Sequence, residues 1–143
     1  MLKRLTLAAA AAVLSAGAAM ADDARVVTVV TSEHAQTQLM AMVLSTQAME
    51  QGASLHMLLC GPGGDIALRD APDSATAAQP PRGASPQGMM MALMERGATV
   101  EVCAIYLPGL GADESVLVDG VGVAQPPAMA GAMMDDDAVV WAF

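Results

Sequence analysis

Hydrophobic positions along the chain gather into short unbroken runs, separated by longer stretches in which apolar and polar residues mix. Arg25-Val26-Val27-Thr28-Val29-Val30 is β-branched without alternation, the pattern of a strand buried on both faces. Leu55 to Cys60 and Thr99 to Tyr106 are further runs of strand length, Val121 to Ala124 is a short fourth, and Ala138 to Phe143 a fifth. Between them lie helix patterns. Thr31 or Ser32 is placed to cap a helix over about His34 to Gln51, with Glu33 favourable at its start and Gly52 as its stop. Ser85-Pro86 opens another, with Ser at the N-cap and Pro at the first helical position, and Gly97 ends it. Asp113 to Val118 predicts a short helix, and Pro126-Pro127 opens a last one through Met134. Asp70 to Gly83 is rich in Ala, Pro, Asp and Ser and predicts an exposed loop. Strands alternating with helices predict a three-layer α/β/α sandwich around a mostly parallel five-stranded sheet. At 143 residues this is one domain.

The first segment carries a different pattern. Lys3 and Arg4 precede an apolar run, Leu5 to Ala19, which closes in Ala19-Met20-Ala21. A positive start, a short apolar stretch and a small-x-small ending predict a secretory signal peptide over residues 1–21, cleaved after Ala21. The run is too short and alanine-rich for a membrane span, which takes roughly 20 strongly apolar residues. The expected location is therefore periplasmic or secreted, with residues 22–143 as the mature domain and no stable membrane insertion. Loss of Lys3 and Arg4 takes the formal charge from -9 to -11 and leaves Arg25, Arg69, Arg82 and Arg96 as the basic residues.

Composition narrows the function. An acidic chain with 2% aromatic residues lacks both the basic patches and the stacking rings of a nucleic-acid binder. Gly61-Pro62-Gly63-Gly64 follows a strand but lacks the GK[ST] ending of a phosphate loop, so it reads as a structural turn. No G-x-S-x-G elbow or HExxH zinc motif is present. Asp135-Asp136-Asp137 reads as a solvated turn.

Candidate chemistry then rests on two cysteines, two histidines and 13 methionines. Cys103 falls near the carboxyl end of the third strand, where parallel sheets gather their ligand and reaction sites. A thiol there is either a reactive nucleophile or a small buried hydrophobe. Cys60 ends the second strand and supplies a second thiol. If the second and third strands are neighbours, the two backbones lie about 4.8 Å apart, within reach of a disulfide. If the first strand intervenes, as in the flavodoxin-like order, the gap doubles and a bridge requires strand movement. The expectation is two free thiols. His34 is a candidate base, should the start of the first helix approach Cys103.

The order of these elements resembles the DsrE/DsrF-like family over about Arg25 to Phe143. The resemblance is carried by Val27 to Val30 followed by a helix, by Leu55-His56-Met57-Leu58-Leu59-Cys60 with Gly64-Asp65-Ile66-Ala67-Leu68 after it, and by Gly97-Ala98-Thr99-Val100-Glu101-Val102-Cys103. It implies a five-stranded α/β/α domain assembling into homo-oligomers, often trimers or hexamers, and a persulfide carried on the cysteine matched by Cys103. The residues after Cys103 depart from the small and basic run usual in the cytoplasmic sulfur-relay members. Together with the expected signal peptide, this gives a periplasmic sulfur, persulfide or thiol-handling carrier using Cys103, with a donor or acceptor protein as partner and no cofactor; no general base is identifiable near that thiol, so a carrier is expected rather than a turnover enzyme.

Two other classes stand beside it. Methionine and cysteine are soft ligands that select copper(I), and Met90 and Met94 share a helical face while His56 and Cys60 lie on one strand. A structural oligomer subunit without chemistry is the other. In either case the methionine-rich helix from Ser85 to Arg96 is expected to line an oligomer interface.

Overall fold

The computed structural model describes residues 24–143; the expected signal peptide lies outside the described residues. Five strands form: β1 (Arg25–Val30), β2 (Ser54–Leu59), β3 (Thr99–Val102), β4 (Gly122–Val123) and β5 (Ala138–Ala142). All pair in parallel, in the order β4-β3-β2-β1-β5. The α/β sandwich expected from the pattern is the architecture observed.

Helices α1 (Ala35–Glu50), α2 (Asp73–Thr76), α3 (Pro86–Glu95), α4 (Tyr106–Leu110) and α5 (Pro126–Met133) connect them, with short 3-10 turns at Gly61–Ala67 and Glu114–Val116. Alternation along the strands divides the sheet into two faces. Val26, Val30, Leu55, Met57, Leu59, Val100 and Val102 pack against α1 and α3 in the larger core. Val27 and Leu58 face the other way, against Met129 of α5. Thr28 also faces α1, where its hydroxyl meets that of Ser45 at 3.0 Å; both residues are fully buried.

Local capping explains where two helices begin. Ser85 is the N-cap of α3, its hydroxyl accepting from the Gly88 amide, as expected. The start of α1 differs: His34 is the N-cap, and Ser32 instead accepts the His34 amide at 3.1 Å. Gln38, fully buried, donates from Nε2 to the Ser32 carbonyl and braces the same lead-in.

Three expectations are corrected. The stretch Asp70 to Gly83 holds α2, which begins after Pro72 with Asp73 favourable in its first turn, and buries Ala75 completely. The short helix over Asp113 to Val118 is a single 3-10 turn, with Asp113 accepting from Ser115. The third strand stops at Val102 rather than Tyr106, because the Tyr106 amide turns back to the Cys103 carbonyl and Pro108 sits in the first turn of α4. In the methionine-rich helix α3, Met90 and Leu93 are buried in the chain's own core, and Met91 is its one large exposed apolar side chain.

Candidate functional site

The strand order decides what the cysteines can do. β2 and β3 are direct neighbours, not separated by β1 as in the flavodoxin-like order. Their register pairs Leu58 with Glu101 and Leu59 with Val102, so the next rung is Cys60 beside Cys103. The ladder continues that far, since the Cys103 amide donates to the Leu59 carbonyl at 2.9 Å and the Cys60 amide to Val30 at 3.0 Å.

Both thiols point to the same face. His56 Nε2 and Glu101 Oε2 meet at 2.7 Å, which puts the even positions of β2 and the odd positions of β3 on one side of the sheet. Cys60 and Cys103 follow in the same alternation, and both touch the core on the α5 side. Both are half-buried and unbridged.

Two turns build a cleft of about 550 Å³ over this pair. One is the 3-10 turn after Cys60, which brings Gly61, Pro62 and Asp65 to the rim; the other is α4, which brings Ile105, Tyr106 and Leu110. The glycine run is a structural turn, as expected, and the contacts give its reason. A side chain on Gly63 would collide with the Val30 carbonyl, and one on Gly64 with the Tyr106 ring. Tyr106 thus packs its ring against Gly64, and its hydroxyl donates to Asp65 Oδ1 at 2.6 Å.

Burial shapes the electrostatics of the cleft. Burial pushes the Cys60 thiol up to about 12, and Cys103 adds to this through a side-chain hydrogen bond and its charge. Burial and the neighbouring Cys103 thus both favour the protonated form of Cys60. Burial raises the Tyr106 phenol as well, followed by its hydrogen bond to Asp65.

The remaining candidates lie elsewhere. His34 is exposed at the N-cap of α1 and is not among the residues lining the cleft. The copper set is not brought together. Met90 is buried and Met94 packs in the core on the α1/α3 side, whereas Cys60 and the His56–Glu101 pair lie across the sheet. Among the described residues no cluster of three or more His, Cys, Asp or Glu is placed to hold a metal. Asp65 and Tyr106 were not expected at the site; the signals for them were an acid directly after a glycine turn and a proline two residues past the tyrosine.

No protein-family model and no curated protein matches the chain. Solved structures do. The ychN protein from E. coli superimposes with a TM-score of 0.67 at 20% identity, covering 85% of this chain and 100% of that one. A protein of unknown function, MTH1491 from Methanobacterium thermoautotrophicum, does so with a TM-score of 0.65 at 17% identity, over 85% and 100% of the two chains. Both have the DsrE/DsrF-like fold, and at these identities the likeness is one of fold alone.

Proposed function

We propose that this chain is an exported, periplasmic sulfur carrier of the DsrE-like type, which holds a persulfide on Cys103. The observation that carries the reading is the cleft: Cys103 is half-buried at the carboxyl end of a parallel strand, beneath a mostly apolar hollow wide enough for a small thiol compound. A carrier needs a nucleophilic sulfur, shelter for a labile persulfide and an opening for exchange, and a half-buried thiol lining a mostly apolar cleft supports that reading. In the loading step the Cys103 thiolate attacks the outer sulfur of a donor persulfide. The donor leaves as a thiol, and Cys103 gains one sulfur atom.

The carrier acts as a homo-oligomer in this reading, with a donor or acceptor protein engaging the cleft. Exposed Met40, Val43 and Leu44 along α1 support assembly. The no-chemistry alternative has no comparable observation behind it. Incubation of the reduced protein with cysteine persulfide, followed by intact-mass measurement, tests the carrier. Cys60→Ser is expected to gain one sulfur atom, removable by reductant, and Cys103→Ser none. An adduct that survives in Cys103→Ser, or no adduct in Cys60→Ser, overturns the reading.

A further inference from the structure

We propose that Cys60 is a resolving thiol, so that the cleft not only carries sulfane sulfur but reduces it to sulfide. The inference rests on the carrier reading and deepens it. It starts from the register: Cys60 and Cys103 occupy one rung of neighbouring parallel strands, on the same face, inside the same cleft. Neighbouring strands bring backbones to about 4.8 Å, which lies inside the roughly 4.4–6.8 Å between Cα atoms that a disulfide spans. Neither cysteine needs strand movement to reach the other. Both also sit at the end of the ladder, where chain continues into turns rather than further strand, so a small adjustment to the dihedral of a bridge is not resisted by rungs on both sides.

The step balances without an outside oxidant. Once Cys103 carries the persulfide, the Cys60 sulfur attacks the inner sulfur, the one bonded to Cys103 Cβ. The Cys60–Cys103 disulfide forms as the bond to the outer sulfur breaks. The outer sulfur leaves with the bonding electron pair and takes up the Cys60 proton and its own, departing as hydrogen sulfide. In this step the Cys60 sulfur loses one electron and the outer sulfur gains one; over loading and resolution together, both cysteine sulfurs are oxidised by one electron and the donor persulfide is reduced by two, to a thiol and sulfide. A dithiol reductant then restores the pair for another cycle.

The surroundings favour this outcome over storage. Gly61, Pro62, Ile105 and Leu110 give the cleft an apolar wall from which a neutral, small product escapes more readily than a charged one. None of the lining residues is basic, and Asp65 contributes a carboxylate. An anionic donor such as thiosulfate is thus disfavoured, and a zwitterionic low-molecular-weight persulfide is the donor class that fits.

The test uses the full chain, reduced, freed of reductant and held without oxygen, with cysteine persulfide as the probe. Wild type is expected to release about one sulfide per sulfur transferred and to finish two hydrogens lighter, with Cys60 and Cys103 bridged within one chain. Cys60→Ser is expected to keep the sulfur and release no sulfide. Wild type that retains the added sulfur and releases none overturns the resolving role while leaving the carrier standing. The same holds for a bridge between two chains, or for a donor cysteine left on Cys103. Cys60→Ser that takes up no sulfur overturns the carrier reading and the resolving role together.

Discussion

Two pairs of side chains cross between β2 and β3 on the same face of the sheet: His56 with Glu101 toward the amino end, and Cys60 with Cys103 at the carboxyl end. Strands, face and neighbours are shared, yet the pairs differ in kind. At the amino end unlike groups meet, a ring nitrogen and a carboxylate 2.7 Å apart, each satisfying the other. At the carboxyl end like groups meet. A thiol is a weak donor and a weak acceptor, so neither sulfur is fully satisfied by its partner. Position alone does not make a site: the first pair is closed by its own interaction, while the second leaves two weakly paired sulfurs beneath a cleft.

The largest effect that separates the two pairs is thiol reactivity. With its ionisation held near about 12, Cys60 carries roughly a thousandfold less thiolate at neutral pH than an unperturbed thiol. Alkylation by iodoacetamide, followed on the Cys60 peptide against pH, is expected to keep accelerating to about pH 12 in wild type. In Cys103→Ala the hydrogen bond and the charge disappear but burial remains, so the rise comes earlier and still above the ordinary thiol range. A Cys60 rate already level at about pH 9 in wild type would mean that burial does not hold this thiol protonated.

The next effect tests whether the amino-end pair is structural and independent. His56→Ala leaves Glu101 partly buried without its partner, at an expected loss of about 1–2 kcal/mol in urea unfolding at neutral pH. Sulfur uptake on Cys103 in the same variant is expected to be unchanged. Reduced uptake would mean that the two ends communicate along β2 and β3, and the comparison would lose its meaning.

What the sequence made legible divides along the same line. Unbroken apolar runs located β1, β2 and β5 to within a residue or two, and Ser85-Pro86 located the start of α3, because these signals are local. Strand order is not local. Nothing in Leu55 to Cys60 or Thr99 to Val102 states that they are neighbours, so both cysteines were identifiable while their pairing stayed open. The copper set failed for a related reason: helical spacing places Met90 and Met94 on one face of a helix but does not say which side of the sheet that helix covers. α2 and α4, of four and five residues, are too short to show a period at all. Asp65 and Tyr106 meet across 41 positions, a contact that only the folded turn reveals.

That contact supplies the smallest effect, and it places a pair of the amino-end kind at the carboxyl end. Tyr106 and Asp65 are unlike groups that satisfy each other, beside two thiols that do not. Tyr106→Phe keeps the ring against Gly64 and removes only the hydroxyl, so the expected loss at neutral pH is about 1 kcal/mol. The sign of its pH dependence follows from the direction of the phenol's shift. Burial and then Asp65 raise it, so the folded chain holds the phenolic proton where the unfolded chain releases it. Such a contribution is complete below the ordinary tyrosine value, about 10, and is lost as the pH rises past it. Cys60 titrates in both proteins, so its effect cancels in the difference between them. Wild type is therefore expected to lead Tyr106→Phe in urea unfolding at pH 7, and that lead is expected to shrink once the pH exceeds about 10. A difference that stays constant across this range would mean that the hydroxyl is not held by Asp65, and that the cleft wall is packed by the ring alone.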